Sequence, residues 1–294
     1  MPAAPPKRID SHCHLWQLSR GDYGWLDATD PALQPIAKDF GLADLQRADP
    51  DPGADQYIVV QAAPTIEETE FLLQLARQTE KIGAVVGWVD LGSESAEHQL
   101  ESLCKNPEFR GIRPMLQDIE NTNWINTVPR PEVIKALTAK NLRFDALVLP
   151  QHLSALLTFA LANPNLPIVI DHAAKPALAA EASDPRHAMW REGMALLAKE
   201  TNACCKVSGL LTELAAEQRS AAAELLQPVI DDLLQWFGPD RLMWGSDWPV
   251  LNLAASYQDW HSLSTTLLSR LDAQQQLQVY AGTAQRFYNL DNAT

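Results

Sequence analysis

The chain has 294 residues, 46% of them hydrophobic and 20% charged, which excludes a disordered segment and allows one large core. Lys plus Arg total 23 against 37 Asp plus Glu, a formal net charge of −14, so the clustered positive field that a nucleic-acid partner needs is missing. Four cysteines (Cys13, Cys104, Cys204, Cys205) with no C-x-x-C pair make no disulfide framework and are expected to be reduced.

Residues 1–8 lack the apolar stretch of a signal peptide, and no run approaches the ~20 apolar residues of a membrane span. A cytoplasmic protein without a membrane partner is expected. Along the chain, short aliphatic or β-branched runs predict strands at Ile9–His14, Tyr57–Gln61, Ala84–Val89, Gly111–Met115, Arg143–Leu149, Pro167–Asp171, Cys205–Ser208 and Arg241–Ser246. Helical periodicity fills the gaps. Thr65-Ile66-Glu67-Glu68 reads as a capping box, with Glu68 reaching back to the Thr65 amide, and opens a helix through Glu80. Pro131 suits the first position of a helix through Lys140. Helices follow at His152–Ala162, His187–Glu200, Ala221–Phe237 and Gln274–Phe287, with Pro228 expected to kink or divide the third of these.

Alternating β and α segments imply parallel strands, because each crossover returns the chain to the same edge. Eight units in this length point to a single-domain α/β fold, a (β/α)8 TIM barrel over 1–294. An open doubly wound sheet would carry a glycine-rich turn after its first strand, and here that strand runs into His-Cys-His-Leu-Trp. The long connection 17–40 follows the first strand and so lies on the catalytic face, as a lid or substrate wall containing Tyr23 and Trp25.

Asp10-Ser11-His12-Cys13-His14 carries the strongest chemical signal. Strand alternation puts Asp10, His12 and His14 on one face and Ser11 and Cys13 on the other. Two imidazoles there can ligate one divalent metal or donate to one oxyanion. Closure of the barrel brings Asp247, after the eighth strand, beside them, as a base for water or a third metal ligand. His172 ends the sixth strand where side chains reach the site, and alternation turns Asp171 away from it toward the scaffold. Lys175 suits either charge neutralisation at the site or an ordinary ion pair. Gln61, after the second strand, is placed as a hydrogen-bond donor, and Trp25 and Trp88 offer flat apolar faces near strand ends. Asp145 is expected to support the core. His98, His187 and His261 sit on helical segments away from the site, and His152 either reaches it or caps a helix.

Four ordered motifs, Ile9-Asp10-Ser11-His12-Cys13-His14-Leu15-Trp16, Phe109-Arg110-Gly111-Ile112-Arg113, Asp171-His172-x-x-Lys175-Pro176 and Trp244-Gly245-Ser246-Asp247-Trp248-Pro249, resemble the amidohydrolase superfamily. More narrowly, the chain is similar to the amidohydrolase-related branch, which holds sugar lactonases of the L-fuconolactonase and L-rhamnonolactonase kind and the 2-pyrone-4,6-dicarboxylate lactonases. The loop Asp22-Tyr23-Gly24-Trp25-Leu26 resembles the sugar-lactonase side.

The resemblance implies hydrolysis of a small-molecule lactone, with Asp247 deprotonating water and His12, His14 and His172 polarising the carbonyl. It also implies substrate contact by Arg113, whose planar guanidinium suits carboxylates or vicinal hydroxyls, by Gln61 as a donor to a polyol, and by Trp25 and Trp88 stacked on a sugar ring. The fourth and fifth strands offer no lysine or glutamate to bridge two ions, which argues against a binuclear site and leaves one zinc or manganese ion, held by His12, His14 and Asp247, or none. Two other functions are open to such a chain: a metal-dependent decarboxylase, or a silent ligand-binding barrel. A homo-oligomer is compatible with all three.

Overall fold

All eight expected strands form, as β1 (Ile9–Cys13), β2 (Gln56–Val60), β3 (Ile82–Gly87), β4 (Phe109–Ile112), β5 (Arg143–Ala146), β6 (Ile168–Ile170), β7 (Cys204–Val207) and β8 (Leu242–Trp244). The computed structural model describes residues 8–49 and 52–290, so residues 1–7, on which the missing signal-peptide stretch was judged, lie outside the described residues. Neighbouring strands pair in parallel in the order β1 through β8, helices lie between them, and the sheet is a nearly closed barrel. The ends meet beyond the last ladder, where Asp247 N donates to His12 O and His14 N donates to Trp248 O, each at 2.7 Å. Among the described residues no helix is long and apolar enough to cross a membrane. All four cysteines are free thiols.

Ile9, Ile58, Val60, Ala84, Val86, Val169 and Met243 form one buried cluster with Ala284 and Tyr288 of the last helix. The alternate residues Tyr57, Val59, Val85, Phe144 and Cys205 belong to the larger cluster shared with the helices. That two-sided burial explains why the strands read as near-continuous apolar runs.

Several local expectations are corrected. Pro228 does not divide its helix, which runs continuously over Ala222–Phe237. Pro228 and Glu224, whose carbonyl loses its partner, are both exposed, so water satisfies the freed group while Leu226, Val229, Ile230 and Leu233 bury the other face. The closing helix passes through a π-helical stretch, Gln278–Gly282, between Ala273–Leu277 and Thr283–Tyr288. On β1 the register with β2 shifts between Asp10 and Cys13, which interrupts the expected alternation. The Asp10 carboxylate therefore leaves the histidine face and accepts from Ser246 N (2.8 Å), Ser246 Oγ (2.6 Å) and Tyr257 Oη (2.9 Å).

The capping box is only half made. Thr65 Oγ1 accepts from Glu68 N at 3.1 Å, but the Glu68 carboxylate turns to the Ala62 and Ala63 amides at 2.8–3.0 Å. Burial lifts the Glu68 carboxyl to about 7, against the pull of those two amides and of Arg113. The native state thus keeps a proton that the unfolded chain releases near 4.5, and stability is lost as pH rises from there through 7. The expected size is about 3 kcal/mol. Denaturant unfolding at pH 5 and pH 8 should show this difference in the native protein and not in Glu68→Gln, and an equal difference in both would assign it elsewhere.

The 17–40 loop is closed at its base by reciprocal backbone bonds between Trp16 and Phe40, both 3.0 Å. It is fastened over the end of β2 by Trp25 Nε1 donating to Ala62 O (2.8 Å) and Thr65 Oγ1 donating to Asp22 Oδ2 (3.0 Å).

Candidate active site

Strand β1 and the segments after β6 and β8 bring four side chains to one buried point. His14 Nε2 lies 3.3 Å, His12 Nε2 3.7 Å and His172 Nε2 3.8 Å from Asp247 Oδ1, and the two β1 imidazoles are 3.2 Å apart through Nε2. All four residues are buried. The juxtaposition expected from barrel closure is present.

Each ring is fixed from behind. His14 Nδ1 is 2.8 Å from the Val60 carbonyl, so it carries a proton and donates it. His172 Nδ1 meets Ser208 Oγ at 2.9 Å. His12 Nδ1 meets the Lys206 ammonium at 3.1 Å. Burial, helped by the Lys206 charge, holds His12 well below the usual histidine range. Burial likewise lowers His172 to about 4, although the Asp247 and Asp171 carboxylates oppose it. Burial alone would raise Asp247, but the His172, His14 and His12 imidazoles outweigh it and hold the carboxyl well below its usual range. At neutral pH the outcome is a carboxylate at Asp247 beside neutral His12 and His172 rings.

After Ile170 the chain turns into left-handed backbone at four consecutive non-glycine residues, His172 (φ 52°), Ala173 (50°), Ala174 (57°) and Lys175 (50°). Such backbone costs roughly 1–2 kcal/mol per residue, and Trp190 Nε1, bonded to Ala173 O at 2.6 Å, helps hold it. This turn abolishes the alternation expected at Asp171 and His172. Instead of facing away, Asp171 Oδ1 lies 3.3 Å from His12 Nδ1 and 3.0 Å from Lys206 Nζ, and Asp171 Oδ2 lies 3.8 Å from Arg113. Asp145 takes its expected supporting role: it is wholly buried, and its carboxylate meets Lys206 Nζ at 2.5 Å and Tyr288 Oη at 2.7 Å.

Arg113 and Gln61 are locked on one another. An Arg113 N–H donates to Gln61 O, and Gln61 Nε2 donates to Arg113 O at 2.7 Å. The Gln61 amide N–H group expected for a polyol is thus taken, and its Oε1 is the atom left without a protein partner. Trp25 keeps an exposed face, but its indole N–H belongs to Ala62, and Trp88 is half-buried at the end of β3. Tyr23 is buried against Trp16, ring centroids 6.3 Å apart, so it braces the loop's own packing. Lys175 is half-buried, and its charge acts on both His172 and Glu213. His152 takes the capping alternative, its Nδ1 accepting from Leu149 N at 3.1 Å.

Three functional neighbours escaped sequence reasoning: Lys206, Ser208 and Gly209. Lys206 did leave a signal, a lone lysine inside the apolar strand Cys204–Val207. Gly209 (φ +62°) leaves room for the site, since a Cβ there would fall 2.6 Å from His172 Nδ1 and 3.2 Å from Asp247 Oδ2.

Ligand atoms of His12, His14 and Asp247 lie within 4.8 Å of one another. With His14 Nδ1 donating to Val60 O, its Nε2 is left facing Asp247 Oδ1 at 3.3 Å and His12 Nε2 at 3.2 Å, a cluster of ligand atoms of the kind one cation bridges. Two imidazoles and one carboxylate fit a single divalent ion.

An amidohydrolase family model matches residues 9–290. An L-fucono-1,5-lactonase of Burkholderia ambifaria is 42% identical over 288 residues, covering 97% of this chain and 96% of the relative. A second L-fucono-1,5-lactonase, from Burkholderia multivorans, is 35% identical over 291 residues, 96% of each chain. The crystal structure of a Burkholderia multivorans amidohydrolase with bound zinc superposes with a TM-score of 0.87 at 34% identity, covering 96% of this chain and 99% of that one. The chain belongs to the amidohydrolase family.

Proposed function

We propose that the chain hydrolyses a sugar-derived lactone to its hydroxy acid, with L-fucono-1,5-lactone the foremost substrate. The observation that carries this reading is the Asp247 carboxylate within 4 Å of three imidazole nitrogens in a buried site. The names of the two nearly full-length relatives supply the substrate class. Neither the decarboxylase nor the silent-barrel alternative has comparable support.

Asp247 accepts a proton as water attacks the lactone carbonyl, and imidazole N–H groups hold the developing oxyanion. Collapse breaks the ring C–O bond, and the proton returns from Asp247 to the departing alkoxide, so the acid and base steps balance. Arg113 and Gln61 form one wall, while Lys175 and the faces of Trp25 and Trp88 meet the hydroxyls and C–H surface of the ring. The 17–40 loop excludes water from one side.

His12, His14 and Asp247 are the residues that would hold one zinc or manganese ion. When bound there, a divalent cation supplies Lewis-acid polarisation of the carbonyl. Base and donors nevertheless come from the chain itself, so chelator-treated enzyme is expected to keep turnover within about tenfold. A pH-indicator assay on a panel of 1,4- and 1,5-lactones, repeated after chelation, tests both points. Carbon dioxide release without lactone opening would overturn the reaction class, and complete loss of turnover restored by zinc or manganese would make the ion essential.

A further inference from the structure

The buried ammonium of Lys206 has no part in the steps above, and its surroundings are unusually constrained. It is wholly buried. Its Nζ donates to Asp145 Oδ2 at 2.5 Å and to His12 Nδ1 at 3.1 Å, with Asp171 Oδ1 at 3.0 Å as a second counter-charge. The Tyr288 ring lies 5.6 Å from the same nitrogen, and the Tyr288 hydroxyl holds Asp145 from the other side at 2.7 Å. Lys206 is therefore clamped in place and cannot swing away from His12 without vacating a buried ion pair.

An ammonium can only donate, so the atom it meets on His12 must be an accepting, unprotonated Nδ1. A neutral imidazole then carries its single proton on Nε2. That proton faces His14 Nε2 at 3.2 Å, and His14 Nδ1–H donates to Val60 O at 2.8 Å. In that tautomer Lys206, His12, His14 and Val60 form one continuous hydrogen-bonded chain.

A divalent cation needs the opposite tautomer, with Nε2 bare and the proton on Nδ1. Asp171 Oδ1 is placed to take that proton, 3.3 Å from His12 Nδ1, against 3.1 Å for Lys206 Nζ. Two carboxylate-side and ammonium-side partners thus compete for one ring nitrogen, and the ammonium holds it.

We infer that Lys206 is a positioning residue that sets the tautomer of His12, holding the proton on Nε2 and so weakening cation binding at His12, His14 and Asp247. The inference rests on reading those three residues as the cation site, but not on the lactone. Both readouts below are taken without substrate, so failure of lactone hydrolysis leaves them standing.

Long-range 1H–15N spectra of the metal-free native protein, with His12→Gln for assignment, should show His12 as the Nε2–H tautomer. Added zinc should convert it to the Nδ1–H form. A metal-free His12 already protonated on Nδ1 overturns the inference. In competition with a chromophoric chelator, Lys206→Met should bind zinc at least tenfold more tightly than the native protein. Because that variant strands two buried carboxylates, the charge-balanced Lys206→Met/Asp145→Asn is measured beside it. Unchanged or weaker zinc affinity in a folded variant overturns the inference, and if neither variant folds the native spectrum decides.

Discussion

Replacing Asp247 by asparagine is expected to lower kcat by about 10³-fold while KM changes by no more than a few-fold. The reasoning starts with the backbone. Asp247 sits at φ +59°, a left-handed conformation that asparagine adopts more readily than most residues. Shape is also nearly conserved, so the fold and the lactone-binding surfaces should survive. What the amide cannot do is take a proton from water. The loss therefore falls on the chemical step, and not on ground-state binding. Thermal unfolding should confirm an intact fold beside the kinetic measurement. Turnover within tenfold of the native rate, in a folded variant, would remove Asp247 from the role of base.

Much of this arrangement was legible from residue pattern alone, and the boundary between legible and hidden is physical. Eight parallel strands could be read because two-sided burial writes aliphatic runs into the sequence. The meeting of His12, His14, His172 and Asp247 followed from barrel closure, which links residues far apart in the chain. What stayed hidden depended on departures from regular backbone. The register shift on β1 sends Asp10 to Ser246 and Tyr257, and no residue type there announces it. The left-handed turn at His172–Lys175 contains no glycine, so nothing in its composition marks it, yet it swings Asp171 into the interior. Pro228 leaves its helix undivided for the complementary reason, because solvent can satisfy a carbonyl that proline leaves without a partner. Gln61 and Tyr23 have the right chemistry for a sugar, but local partners engage the amide N–H group of one and the ring of the other.

Gly209→Ala is expected to lower kcat by about 10²-fold, although the added methyl carries no charge and touches no substrate. Two penalties combine. At φ +62° an alanine is strained wherever it sits, at roughly 1–2 kcal/mol. Its Cβ would also lie 2.6 Å from His172 Nδ1 and 2.8 Å from His172 Cγ, distances at which something must move. The imidazole is the softer partner, and shifting it breaks the 2.9 Å contact with Ser208 and carries Nε2 away from Asp247. Gly238→Ala separates the two penalties, since Gly238, just past the helix Ala222–Phe237, has φ +66° and nothing within 4 Å of the added carbon. Both variants should lose stability in thermal unfolding, but only Gly209→Ala should lose turnover. Equal kcat in the two would mean that the His172 ring does not need the place Gly209 leaves for it, and the catalytic assignment of His172 would fall with it.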